Sequence, residues 1–344
     1  MLQKSARGRF LEISLFTLSS LVLYHVGNQI GIGVVVFLVP LQVVASRRGA
    51  GSLFAVCGLF LLVFLALRLL PFLGGAWQPD ILTIVETIFV LSLLFGLLIV
   101  NLPLLAPRRA LFRLLGATAA AGLGAIPCTI WLSHSAQFQT EMSTLFTEAS
   151  RMIVSLLSGG QGTADPALSA FLSPDALRSM SGIVLSRSLL ALYFGLLSFS
   201  WWAGQAFAAR STWPGQQRFR FSGFRLESFW LWPLIGALAL ILADLFFGSH
   251  SSSAWGDSVW QYVAWNVGFV LVILYGLQGL AILRFLFEKH GLPRLLWLIL
   301  VVTLAILAGS PRSGAFVMVV LPAFGVSENW IRYRIVARRE PNES

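Results

Sequence analysis

Charge is scarce in this chain: only 11% of its residues are Asp, Glu, Lys or Arg, against about 25% in soluble globular domains. That deficit excludes an ordinary soluble fold. Cysteine is scarcer still. Cys57 and Cys128 each stand alone inside an apolar stretch, far from a CxxC spacing, which excludes a disulfide framework and a cysteine metal site. The four histidines, His25, His134, His250 and His290, fall in different loops or ends with no HExxH spacing, so no metal site is expected. No GxSxG, P-loop or paired Cys and His arrangement occurs, and no strand precedes Gly31-Ile32-Gly33 to make it a nucleotide fingerprint. The chain is therefore expected to be non-enzymatic and to carry no cofactor. A membrane-embedded enzyme acting on lipid would require a matched acid and base within reach of a headgroup.

What is abundant is hydrocarbon: 57% of the residues are apolar. Apolar stretches fall at 11–26, 30–45, 50–73, 81–103, 110–133, 182–208, 229–247, 258–283, 295–309 and 313–327. Crossing the bilayer takes about 20 residues of helix. The pattern predicts an all-α integral membrane protein, a polytopic helix bundle of about ten spans. The first two and last two stretches are short for a full crossing, which leaves eight spans as the fallback. Lys4, Arg7 and Arg9 before the first stretch imitate a signal peptide. Glu12 interrupts that stretch and no small-x-small cleavage site follows Tyr24, so a retained first helix is expected.

Orientation follows from the basic residues. With the amino terminus inside, Arg68, Arg151, Arg178, Arg187 and Arg312 fall outside or near outer ends, while the other Lys and Arg residues of the total of 24 lie inside. Translocating Lys and Arg is disfavoured, so both termini are expected in the cytoplasm. The net charge of +10 thus marks topology, and no nucleic-acid partner is expected. Trp77, Trp131, Trp255 and Trp260 at outer ends and Trp213, Trp230, Trp297 and Trp330 at inner ends form the interfacial belt that amphipathic indoles prefer.

Residues 134–181 are too polar to span. They separate an amino-terminal membrane region, 1–133, from a carboxy-terminal one, 182–335, followed by a polar cytoplasmic tail, 336–344. Within the insert Met142, Leu145, Phe146, Ala149, Met152, Ile153, Leu156 and Leu157 recur at spacings of three and four, on one helical face. Gly159-Gly160 would end that helix, and Asp165-Pro166 and Ser173-Pro174 look like helix starts. An external helix follows, either packed on the bundle or lying on the membrane.

Ionisable groups inside a membrane cost about 2.5–3.5 kcal/mol each on insertion scales, so each requires a partner or a cavity. Glu86, Asp244, Arg68 and Arg187 all lie within about two turns of the outer ends of their helices. Two readings are open: structural pairing with snorkelling to the interface, or a polar, outward-facing site for a small ligand. Thr83, Thr87, Ser186 and Ser188 accompany them. Asn28-Gln29 forms either a plain turn between the first two helices or a further part of that site. Gly116, Ala120 and Gly124 share one face of the fifth helix, with Ala117, Ala121 and Ala125 as the neighbouring row. Such rows let another helix approach, whether from this chain or from another membrane protein. Asn266 and Gln278, in the eighth stretch, suit bridges between helices.

The carboxy-terminal third contains Leu277-Gln278-Gly279-Leu280-Ala281, then Gly291-Leu292-Pro293-Arg294, and closes on Gly325, Glu328, Trp330 and Arg334. This string resembles the YybS-like family of bacterial polytopic membrane proteins of unassigned function, the DUF2232 group. Arg332 stands where a second acid is usual there, and Glu227 replaces the customary proline after Phe224-Arg225-Leu226. The likeness covers about residues 140–335. The family is in turn distantly similar to the substrate-binding subunits of energy-coupling-factor vitamin transporters. That resemblance implies capture of a small molecule from outside, with transport energy supplied elsewhere. The alternative is an envelope scaffold that recruits other membrane proteins.

Overall fold

Hydrocarbon offers no hydrogen-bond partner to a peptide group, so a spanning segment must satisfy its backbone internally, and the helix does this without a neighbour. The computed structural model describes residues 2–29, 32–73, 81–102, 110–157, 170–208, 221–247, 259–331 and 333–334, and every regular element among them is helical. The elements are α1 (Leu2–Gln29), α2 (Gly33–Val36), α3 (Leu38–Arg48), α4 (Ala50–Leu73), α5 (Ile81–Val100), α6 (Ala110–Ser133), α7 (Ala136–Leu157) and α8 (Pro174–Ala208). They continue with α9 (Leu231–Phe247), α10 (Val259–Lys289), α11 (Arg294–Gly309) and α12 (Pro311–Ser327).

Among the described residues six helices are long and apolar enough to cross a membrane, and three shorter apolar ones accompany them at Ala110–Ala125, Arg294–Ala308 and Ser313–Ser327. The surface fits a lipid solvent: Phe246 is 78% exposed and Trp232 72%, on the same helix as the exposed Leu238, Leu242 and Leu245. The chain is an all-α integral membrane protein.

The second expected span, 30–45, is not one straight helix. It divides at Phe37 into α2 and α3, because Pro40 has no N–H to give the carbonyl of Val36 and its ring crowds that carbonyl. The insert also differs from expectation. Ser173 starts a helix as expected, its hydroxyl accepting from the N–H of Ala176 at 3.3 Å. That helix then runs unbroken into the next span, so α8 has 35 residues and a length of about 52 Å, well beyond the hydrocarbon thickness. α7 packs on α8, and the Ser150 hydroxyl donates to the Leu172 carbonyl at 2.5 Å. Met142, Leu145, Phe146, Ala149 and Ile153 are half-buried as the periodicity requires, but Met152 and Leu156, on the same face, are exposed near its carboxy-terminal end. Gly159-Gly160, Asp165-Pro166, Trp77, Trp213, Trp255 and Arg332 lie outside the described residues.

The helices group into two compact units, 1–214 and 215–344, so α8 belongs with the first unit, whereas polarity along the chain draws a boundary at 181. In the first, α1 packs on α2, α3 and α4; α5 on α6; and α8 on α3, α6 and α7. Ala117, Ala121 and Ala125 are buried in this packing, with Ala121 opposite Gly96 of α5. The neighbouring row is different: Gly116 and Gly124 meet nothing within 4 Å among the described residues. Gln42 of α3 and Asn101, just past α5, exchange amide hydrogen bonds at 2.8 and 3.2 Å.

In the second unit α10 packs on α9 and α12, and α11 on α12. α10 and α12 meet backbone to backbone, since a Cβ on Gly325 would lie 2.0 Å from the Tyr275 carbonyl oxygen and one on Gly279 2.3 Å from that of Leu321. A carbonyl inside a helix cannot swing aside, so Gly325→Ala is expected to destabilise the protein by about 1–3 kcal/mol. Melting of the purified protein in detergent checks this, with Gly116→Ala as the harmless control.

Candidate functional site

In the first unit three helices contribute side chains in pairs one turn apart, which is how a helix puts two groups on one face. α1 gives Tyr24 and Asn28, α4 gives Phe64 and Arg68, and α5 gives Thr83 and Glu86. The turn after α1 sets the first pair. The N–H of Ile32 returns to the Gly27 carbonyl at 2.9 Å, and a Cβ on Gly33 would strike both the Tyr24 carbonyl and the Asn28 side chain. Only glycine lets α2 come this close to Asn28.

Glu86 is the hub. Tyr24 Oη and Asn28 Nδ2 both donate to its Oε1, the latter at 2.6 Å, while Arg68 Nη2 donates to Oε2 and forms the ion pair. Arg68 also reaches Tyr24 Oη at 3.3 Å and Thr83 Oγ1 at 3.5 Å, and its guanidinium lies over the Phe64 ring, 5.4 Å from the centroid. Its buried Nε has no acceptor among the described residues. The side chains of Arg68 and Glu86 are 26% and 29% exposed, so the pair is reachable. On one side it rests on rings that are fully buried: Tyr24 contacts Phe37 and Phe64 edge-on, and Phe60 stacks on Phe37 and Phe64. The arrangement offers a cation, an anion, an amide and hydroxyls above an aromatic floor, at the end of the helices that the charge pattern assigns to the outside.

Of the six expected site residues, the structure joins three: Arg68, Glu86 and Asn28. Asn28 lies in the last turn of α1 and not in a loop, and Gln29, next to it, is exposed and enters no hydrogen bond of this cluster. Arg187 is half-buried on α8, flanked by Ser186 and Ser188, whose hydroxyls turn back to carbonyls of their own helix; it is not a partner of Glu86. Asp244 belongs to the second unit. There, 8% exposed, it accepts from Gln261 Nε2 at 2.5 Å and Trp265 Nε1 at 2.9 Å. Matched depth did not mean adjacency.

A second polar cluster closes the second unit at the opposite end of α10. Glu328 is 4% exposed and pairs with Arg334, Nε to Oε1 at 3.0 Å. Gln278 is the bridge expected of it, donating to Glu328 Oε2 at 2.8 Å and accepting from the backbone N–H of Leu226 at 3.0 Å. Arg334 donates to the carbonyls of Ser222 and Phe224 at 2.9 Å each, so the 3₁₀ turn Phe221–Gly223, which packs on α10, and the residue after it are tied down by a side chain as well. The Ser222 hydroxyl continues the network to Glu288 Oε2 at 2.9 Å. Burial draws the Arg334 guanidinium below arginine's usual pKa range, with Glu328 pulling upward and Arg225 adding to the lowering. Asn266, the other amide, is buried and donates to the Tyr262 carbonyl of its own helix.

Nearly all the residues that carry the resemblance thus have a place. Gln278, Glu328 and Arg334 make the cluster, and Gly279 and Gly325 make the helix crossing beside it. Gly291 takes a left-handed φ of 64° where α10 turns into α11, with Pro293 as the capping position. Trp330 is 70% exposed, as a residue at the membrane interface would be. Residues 18–319 match the model of a family described as a predicted membrane protein family, DUF2232. The chain belongs to the DUF2232 family. No curated protein and no solved structure matches it. The DUF2232 match reaches back to α1 and so includes Tyr24, Asn28, Arg68 and Glu86, in helices where only hydropathy suggested kinship.

Sequence reasoning missed Tyr24, Ser222 and Glu288. One aromatic in an apolar helix reads as core, and the available signal for Tyr24 was its spacing of four from Asn28.

Proposed function

We propose that this DUF2232 protein is a non-enzymatic inner-membrane protein that binds a small polar ligand from outside, and contributes to its transport, at Arg68, Glu86, Tyr24 and Asn28. The observation that carries the reading is the construction of that cluster. Three helix-borne donors, Tyr24 and Asn28 from α1 and Arg68 from α4, converge on the one carboxylate of Glu86 on α5, and that carboxylate stays part-exposed, within reach of a ligand. The distribution of basic residues along the sequence supports an outside position for this end, and the buried rings of Tyr24, Phe37, Phe60 and Phe64 lie beneath the cluster. The distant likeness of the family to transporter substrate-binding subunits agrees with such a role at the level of fold analogy.

A screen of small polar metabolites against the purified, reconstituted protein tests the proposal. A hit that binds the native protein and is lost in Glu86→Ala supports it, and unchanged binding by that variant removes Glu86 from the site.

One observation favours a second reading, an assembly role. In the row Gly116, Ala120 and Gly124 the two glycines meet nothing within 4 Å among the described residues. Such a row suits the close approach of a helix from another membrane protein. Loss of a co-purifying membrane protein in Gly116→Leu/Gly124→Leu, with binding at Glu86 absent, would decide for it.

A further inference from the structure

We infer that the Arg68–Glu86 site takes a dipolar ligand, one that carries a positive and a negative group a few ångströms apart and no net charge. This deepens the ligand-site reading and rests on it.

Arg68 and Glu86 already neutralise each other. A ligand that engages either of them competes with that bond. An anion would satisfy the Arg68 guanidinium and strand the Glu86 carboxylate against Tyr24 and Asn28, neither of which carries a positive charge. A cation would satisfy Glu86 and leave Arg68 over the Phe64 ring with only hydroxyl partners. Either outcome leaves one charge without its partner beside buried rings, a cost that the partial exposure of the two side chains reduces but does not remove. A ligand with both charges avoids this. Its negative group takes the place of Glu86 on Arg68, its positive group takes the place of Arg68 on Glu86, and the net charge of the site does not change.

Arg68 Nε, which has no acceptor among the described residues, gives the negative group a further donor, and Thr83 Oγ1 accepts from Nη1 of the same guanidinium. Asn28 is exposed at the rim and can turn its carbonyl oxygen to an ammonium. Two sources supply this chemistry at the outer face of a membrane: a free zwitterion of amino-acid type, and the phosphoethanolamine headgroup of a lipid.

The experiment uses the full-length protein in nanodiscs and reads its melting temperature at neutral pH with millimolar glycine, β-alanine, glycerophosphoethanolamine, acetate or methylammonium. It then compares phosphatidylethanolamine with phosphatidylglycerol nanodiscs without additive. The expected result is an upward shift with at least one soluble zwitterion, or with phosphatidylethanolamine over phosphatidylglycerol, and none with acetate or methylammonium. The arm that responds names the source. Arg68→Gln and Glu86→Gln should each weaken the response about tenfold or more, and size-exclusion elution matching the native protein shows that they fold. A zwitterion shift that survives both variants overturns the inference. A shift with acetate or methylammonium that Glu86→Gln abolishes also overturns it while keeping the ligand site. No shift in any arm overturns both.

Discussion

Replacing Glu328 with alanine is expected to lower stability by about 3–5 kcal/mol, the usual cost of breaking a buried ion pair from one side. Glu328 is almost fully buried, and without it Arg334 remains in a place that burial already makes unfavourable for a cation. Gln278 loses the acceptor for its Nε2 at the same time. The carbonyls of Ser222 and Phe224 still hold Arg334, so the loss should fall toward the lower end of that range. Glu328→Gln keeps the volume and an acceptor oxygen and should cost roughly half as much. The double variant Glu328→Leu/Arg334→Leu removes both charges and should recover most of the loss, because well-packed apolar residues commonly replace a buried pair with little penalty. Unfolding in mixed micelles measures all three. Equal losses in the single and double variants would contradict this account, because removing the stranded Arg334 charge would then relieve nothing.

The second large effect belongs to the outer site. Glu86→Ala removes the shared acceptor of Tyr24, Asn28 and Arg68 in one step. Because both charged side chains are about a quarter exposed, water screens the pair, and the stability loss should be only about 1–2 kcal/mol. Ligand binding is the more sensitive readout, with a loss of at least about tenfold expected for Glu86→Ala and for Arg68→Ala alike. Tyr24→Phe should act in the same direction but more weakly, since the ring still fills the space against Phe37 and Phe64. A variant of Glu86 that binds normally while melting lower would leave the cluster a structural role only.

Much of the fold was legible because hydrophobic length and the positions of Lys and Arg are read directly from composition along the chain. The helices containing residues 50–73, 81–100 and 110–133 fall where apolar runs of spanning length stand between polar ends. What was not legible depends on events at one residue. Pro40 breaks the second span through a carbonyl four residues earlier, and the unbroken helix from Pro174 through Ala208 hides a change from polar to apolar surroundings that the backbone does not feel.

The same division holds for the sites. Arg68 and Glu86 stood out because charged groups within a membrane demand partners, and Asn28 because an amide beside glycines joins two short helices. Which charges meet is a matter of helix neighbours and not of depth, and so Asp244 has its own donors in another unit while Tyr24 was invisible among apolar residues. The motif of Gln278, Glu328 and Arg334 was visible as a string but not as a cluster, since its parts lie 50 and 6 residues apart and close on a loop more than 100 residues before Arg334.

The central claim is that the carboxylate of Glu86 and its partners face the outside and are reachable from it. Labelling with a membrane-impermeant maleimide tests this directly, on Asn28→Cys and, separately, Arg48→Cys in a Cys57→Ala/Cys128→Ala background in intact spheroplasts. Asn28→Cys should react from outside, and a ligand that binds at Glu86 should slow that reaction, while Arg48→Cys should react only after permeabilisation. Reaction of Arg48→Cys from outside, or of Asn28→Cys only after permeabilisation, would contradict it.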